Sequence, residues 1–148
     1  MPFVTAEDGV RLHYRAAGRA RRGQPALVFV HGWCSNLEHW APVMDAFAAT
    51  HRVVGFDLRG HGRSDAPPRG YTMRRFADDM AAVADAAGVK SAVVVGHSLG
   101  GVATVEAGRR HPDLVRALVL VETPLARYVP AARLRTSPAY RMVFDPPG

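Results

Sequence analysis

Residues Val93 to Gly101 read VVVGHSLGG. A β-branched run ends in Gly96-His97-Ser98-Leu99-Gly100, and a helical pattern begins directly after it. Together they place G-x-S-x-G in a strand–turn–helix setting, the sequence form of a nucleophile elbow. The spacing has a steric cause. A serine on so tight a turn has a strained backbone, and side chains two residues before and after it would collide. Glycine at 96 and 100 removes those Cβ atoms. The turn also sets the first N–H groups of the helix, which lack intrahelical acceptors, beside the Ser98 hydroxyl where an oxyanion would form. A glycine-rich structural turn is the competing reading; the flanking strand and helix favour the elbow.

Working outward, the chain alternates strands and helices. Val10, Leu12 and Tyr14 alternate with Arg11, His13 and Arg15, a half-buried strand, and Phe3 to Thr5 precedes it across Asp8-Gly9 as an antiparallel hairpin partner. Ala26 to Val30 is a continuous apolar run, expected as a strand covered on both faces, and Arg52 to Phe56 reads as another buried strand. Ser35-Asn36-Leu37-Glu38 has capping-box spacing, with Ser35 as the expected N-cap of a helix whose stripe is Trp40, Val43, Met44 and Phe47. Thr72 caps a second helix with Phe76, Met80, Val83 and Ala87 on its apolar face, and Gly88 stops it. After the elbow, Leu99 to His111 reads as a Gly/Ala-rich helix ended by Pro112, and Ala117 to Val121 as the last clear strand. The fold class expected is α/β: a mainly parallel sheet with an N-terminal antiparallel hairpin and helices on both faces. From Thr123 the character changes. Five of eleven prolines lie between Pro124 and Pro147, so 1–123 reads as the body of the domain and 124–148 as the start of a lid.

Composition narrows the function classes. The 148 residues are 48% hydrophobic and 22% charged, an ordinary globular balance. The net charge of +6 comes from eighteen arginines and one lysine, but its only dense clusters are Arg19 to Arg22 and Arg133 with Arg135. Neither lies on a groove-reading element, which argues against nucleic acid as a partner. A single Cys34, no basic-then-apolar N-terminal segment and no apolar run near ~20 residues set the expectation of a cytoplasmic protein without a membrane partner. No His, Cys or Asp cluster has metal-ligand spacing, and Gly60-His61-Gly62 lacks the third glycine of a dinucleotide loop, so neither metal nor cofactor is expected.

Three motifs in order then carry a resemblance. His31-Gly32-Trp33-Cys34 follows the third strand, Asp57-Leu58-Arg59-Gly60-His61-Gly62-Arg63-Ser64 the fourth, and Gly96-His97-Ser98-Leu99-Gly100-Gly101 the fifth. From Phe3 to Thr123 the chain resembles the α/β-hydrolase fold superfamily, specifically its serine esterase, lipase and lactonase-like branch. The resemblance implies that Ser98 attacks an acyl carbonyl of a small-molecule substrate, with the backbone N–H groups of Leu99 and Trp33 as the oxyanion hole. It implies loop-shaping roles for His31, Gly32 and Asp57 beside the elbow glycines Gly96 and Gly100. A surrogate-base role for His31 stays open, since an imidazole can accept a proton near neutrality. His97 is expected to point along the turn, and Glu122, ending the sixth strand, is a candidate triad acid or a loop-pinning carboxylate. A serine at the elbow argues against haloalkane dehalogenases and epoxide hydrolases, whose relatives carry aspartate there.

The general base is missing from this pattern. The triad order in this fold is Ser, then Asp or Glu, then His. The only downstream histidine, His111, lies thirteen residues along the helix, about 20 Å away at 1.5 Å per residue. A base must come within ~3 Å. The expectation is therefore the N-terminal half of a hydrolase, impaired in turnover. The alternatives are a non-catalytic half-fold that self-associates through an exposed Ala117–Val121 edge, and an inert fragment.

Overall fold

The computed structural model describes residues 2–20 and 23–125. Its elements are β1 (Phe3–Thr5), β2 (Arg11–Ala17), β3 (Ala26–Val30), α1 (Ala41–Ala48), β4 (Val53–Phe56), α2 (Met73–Ala86), β5 (Ala92–His97), α3 (Leu99–Arg110) and β6 (Val115–Val121). They form one six-stranded sheet in the order β1-β2-β4-β3-β5-β6. β1 and β2 are an antiparallel hairpin, β2 pairs antiparallel with β4, and β4, β3, β5 and β6 run parallel. This is the mainly parallel sheet with an antiparallel start, and helices on both faces, that the pattern of runs implied. The proposed lid at 124–148 lies, from residue 126 on, outside the described residues.

The side-chain period of two divides the core. Val28, Val30, Val54, Phe56, Ala92 and Val94 point to one face and are buried under α2 and α3. Phe29 and Val53 point to the other, where Trp40 and Met44 of the α1 region meet them. α1 packs on β4 and β2, to one side of that face. Val43 and Phe47, expected on a buried stripe, are therefore 37% and 43% exposed. With Val93, Val95 and Val119 they line an apolar groove of about 300 Å³.

Two helix ends illustrate how local chemistry sets boundaries. Thr72 accepts from the Arg75 amide at 3.1 Å, and α2 ends in a left-handed Gly88 whose amide donates to Asp85 O at 2.9 Å. The helix expected to start at Ser35 starts otherwise. Asn36, not Ser35, is the cap: its Oδ1 accepts from the Glu38 amide at 3.0 Å over a single 3-10 turn, Leu37–Trp40, before α1. The reason is tertiary. The Leu37 amide is already taken at 2.7 Å by Asp57, so the first turn is anchored to the neighbouring loop and no Ser35 box is needed.

Parallel β3, β4, β5 and β6 end on one edge of the sheet, so the loops that follow them meet there. Ligands of open α/β sheets bind at that edge.

Candidate active site

The elbow is built by close approach of α3 to β5 and β3. Ser98 sits at φ 50°, ψ −115°, a conformation that a non-glycine residue holds only under constraint from its surroundings. The constraint is visible. The Ser98 amide donates to Val121 O of β6 at 3.0 Å, and the Ser98 carbonyl accepts from Val102 in α3. A Cβ on Gly96 would stand 2.6 Å from both Gly101 Cα and Thr104 Oγ1. One on Gly100 would stand 2.4 Å from the His31 carbonyl oxygen. These glycines thus serve packing of α3 against the sheet rather than clearance around the serine alone. The Ser98 side chain makes no capping bond to α3, so its hydroxyl is not consumed by the helix it starts.

β3 and β5 are neighbours, which brings the loop after β3 to the serine. A Cβ on Gly32 would lie 3.3 Å from Ser98 Cβ, so Gly32 and the adjoining Trp33 stand directly beside the elbow. Leu99 opens α3, where N–H groups lack intrahelical acceptors. Leu99 and the segment Gly32-Trp33 thus adjoin Ser98 from two sides. The Trp33 side chain is 67% exposed and meets His61 edge-on at 5.6 Å; with Cys34, Gly60 and Tyr71 they line a shallow cleft of about 370 Å³.

The Asp57–Ser64 loop supports this arrangement from behind. Asp57 accepts from the His13 ring at 2.7 Å, the Leu37 amide at 2.7 Å and the Arg63 amide at 2.9 Å. One carboxylate thereby ties β2, the segment after the β3 loop and its own loop together. Arg59 is fully buried and forks onto Asp79 at 2.6 and 2.7 Å and onto Asp8 at 2.8 and 3.1 Å. Burial disfavours its charge, but the two carboxylates outweigh it and hold Arg59 above its ordinary value.

His31 is fully buried. Its Nδ1–H donates to Gly32 O at 2.8 Å and its Nε2 accepts from the Leu58 amide at 3.0 Å. Both nitrogens are spent on loop contacts, which leaves none for Ser98. Burial, first of all, pushes the His31 pKa down to about 4, and the Leu58 N–H facing Nε2 leaves no acceptor for a second proton. The unfolded imidazole protonates near pH 6.5 and the folded one near 4, so between these values the unfolded chain binds the extra proton. Stability is therefore complete above about pH 6.5 and falls as pH drops toward 4, by on the order of 3 kcal/mol. Urea midpoints measured across that window should show this loss, and His31→Gln should flatten it.

The remaining candidates separate. Glu122 ends β6 at φ 45°, its side chain 84% exposed, with Oε2 3.8 Å from His97 Nε2. His111 lies at the far end of α3, bonded to Asp78 at 3.0 Å, well removed from the elbow. Sequence reasoning missed the surroundings of His97: its ring lies against Gly32 and stacks on His39 at 5.3 Å and 13°. Only the strand register, which sets His97 opposite Val121, reveals this. Among the described residues no group of three or more His, Cys, Asp or Glu could hold a metal ion, and no helix is long and apolar enough to cross a membrane.

The family model for the alpha/beta hydrolase fold matches residues 25–141. The chain belongs to that family. It is 42% identical over 123 residues to the bifunctional esterase/perhydrolase DCH of Acinetobacter calcoaceticus, covering 82% of this chain and 44% of that protein. It is 35% identical over 120 residues to epoxide hydrolase 3 of Xenopus tropicalis, covering 80% of this chain and 32% of that protein. Among solved structures, Est816, described as an N-acyl homoserine lactone degrading enzyme, superposes with a TM-score of 0.78 at 34% identity, covering 92% of this chain and 52% of that one. The chain thus spans about half, or less, of the length of the relatives it matches. Esterase, lactone-degrading and epoxide-hydrolase relatives all share this half.

Proposed function

We propose that this member of the alpha/beta hydrolase family carries the nucleophile and oxyanion hole of a serine hydrolase acting on ester or lactone-type acyl bonds. The observation that carries the reading is the backbone of Ser98: a strained, left-handed serine between β5 and α3, its hydroxyl unused by the helix, with Gly32 of the β3 loop in contact range. Ser98 Oγ attacks the acyl carbonyl, and the developing oxyanion takes the N–H groups of Leu99 and Trp33. Serine at the elbow favours this chemistry over epoxide opening. Glu122 is the candidate acid from the adjacent strand end; His31, spent on loop contacts, and His111, at the far end of α3, do not supply the base.

An oxyanion hole and substrate binding retain a residual part of such catalysis when the base is lost. Slow hydrolysis of p-nitrophenyl acetate above the buffer rate is therefore expected, rising when imidazole is added as a surrogate base. Ser98→Ala should remove the imidazole-dependent part of the rate beyond that of imidazole alone and leave the base-independent remainder. Equal imidazole-dependent rates for the two proteins would sink the proposal.

A second reading rests on β6. Its outer side has no ladder partner among the described residues, and Leu118, Val119 and Val121 are 38%, 45% and 37% exposed. Full burial of such side chains is worth about 1.5–3 kcal/mol each, so an apolar edge of this kind favours pairing with a second copy. Light scattering on the purified chain decides: a concentration-dependent dimer supports association through the edge, and a stable monomer contradicts it.

A further inference from the structure

We infer that His97, the residue before the nucleophile, is a positioning residue that seats the loop carrying the Trp33 N–H. The inference rests on the reading of that N–H as an oxyanion donor. Three residues from two loops converge on one imidazole. Gly32 lies so close that a Cβ there would stand 2.8 Å from His97 Nδ1 and 3.2 Å from Cε1. The His39 ring, in the 3-10 turn that ends the same loop, stacks nearly parallel on it. Glu122, at the end of β6, faces its Nε2. His97 is itself held by the β5–β6 ladder opposite Val121, whose carbonyl also takes the Ser98 amide. The ring is thus fixed to the same frame as the nucleophile, and the β3 loop rests on it.

The contacts are unequal. His97 Nδ1 is buried with no hydrogen-bond partner among the described residues, so it holds Gly32 by shape and not by a bond. An Nε2–H tautomer leaves only a lone pair there, which costs less than an orphaned N–H. The Glu122 pair is long and its carboxylate 84% exposed, in the range of surface pairs that contribute little. Ring shape and stacking therefore dominate, and the carboxylate only trims the orientation. A flat ring at 97 should suffice.

The test reads amide exchange at Gly32 and Trp33 by NMR in the wild-type chain, His97→Ala, His97→Phe and Glu122→Gln, with cooperative melting as the folding control. His97→Ala should speed Trp33 exchange about tenfold, while His97→Phe and Glu122→Gln stay within about threefold of wild type. Gly32→Ala should lower the melting temperature of the wild-type chain and lower it less in the His97→Ala background, because the 2.8 Å collision is then relieved. Should His97→Ala not melt cooperatively, His97→Asn, also shorter than the ring, replaces it. Ser98 modification by a fluorophosphonate in the presence of imidazole should slow about tenfold in His97→Ala and recover in His97→Phe. Unchanged Trp33 exchange without the ring, or a Gly32→Ala defect equal in both backgrounds, overturns the inference. Absence of any Ser98 adduct in the wild-type chain would instead count against the hydrolase reading, and the exchange data would still decide this one.

Discussion

Gly100→Ala is expected to destabilise the chain by about 3 kcal/mol, although helix propensity alone predicts the opposite sign. Gly100 lies in the first turn of α3, where alanine is intrinsically favoured over glycine by about 1 kcal/mol. A Cβ there, however, would stand 2.4 Å from the His31 carbonyl oxygen and 2.5 Å from that of Val30. Both obstacles are backbone, and both sit in or beside β3, the strand between β4 and β5. A flexible side chain could swing aside; these carbonyls cannot without lifting α3 from the sheet. Overpacking of this kind costs roughly 1–3 kcal/mol, and a backbone obstacle puts it at the upper end. Urea denaturation should show the loss, and Gly108→Ala, whose nearest neighbour to a new Cβ is 3.7 Å away, should show none. A Gly100→Ala midpoint at or above wild type would mean that α3 does not lie as close to β3 as described.

Arg59→Ala should cost about 3–5 kcal/mol, and the reason is the partner it leaves behind. Arg59 and Asp79 are both inaccessible to solvent, and the guanidinium forks onto Asp79 and Asp8 together. Removing it strands a carboxylate at Asp79 in the core. Burial already pushes the Asp79 carboxyl up, against the pull of Arg59, so the stranded group would fold only as the neutral acid. Replacing both partners with apolar residues, Arg59→Met with Asp79→Leu, should recover much of the loss, because neither then carries an unpaired charge. Asp8, 29% exposed, can turn to water in either case. Denaturant midpoints for the single and double variants test this. An Arg59→Ala chain as stable as the double variant would show that the pair is not buried.

Much of this architecture was legible because it is written in local pattern. The apolar runs of β3, β4 and β5, the cap at Thr72 and the stop at Gly88 each follow from a few neighbouring residues. The Asp57–Ser64 loop was recognisable, but its physics was not. That Asp57 gathers three donors from three segments depends on strand order, which no local rule supplies. The cap at Asn36 was misread for the same reason: Ser35 and Asn36 both suit the position, and a bond from Asp57, twenty residues on, decides between them. β2 runs on through Ala17 because it pairs with β4, a contact invisible in the alternation that ends at Arg15. The tight strand-to-helix turn at Ser98 and its packing glycines were evident from spacing. The part played by His97 was not, because the ring acquires its neighbours only when β5 and β6 are in register.

The measurement closest to the central claim is intact and peptide mass spectrometry after exposure to a fluorophosphonate, with and without imidazole. A single adduct on Ser98 is expected, formed faster with imidazole and absent from Ser98→Ala. A wild-type chain that stays unmodified at Ser98, or is modified at another serine at the same rate, would contradict it.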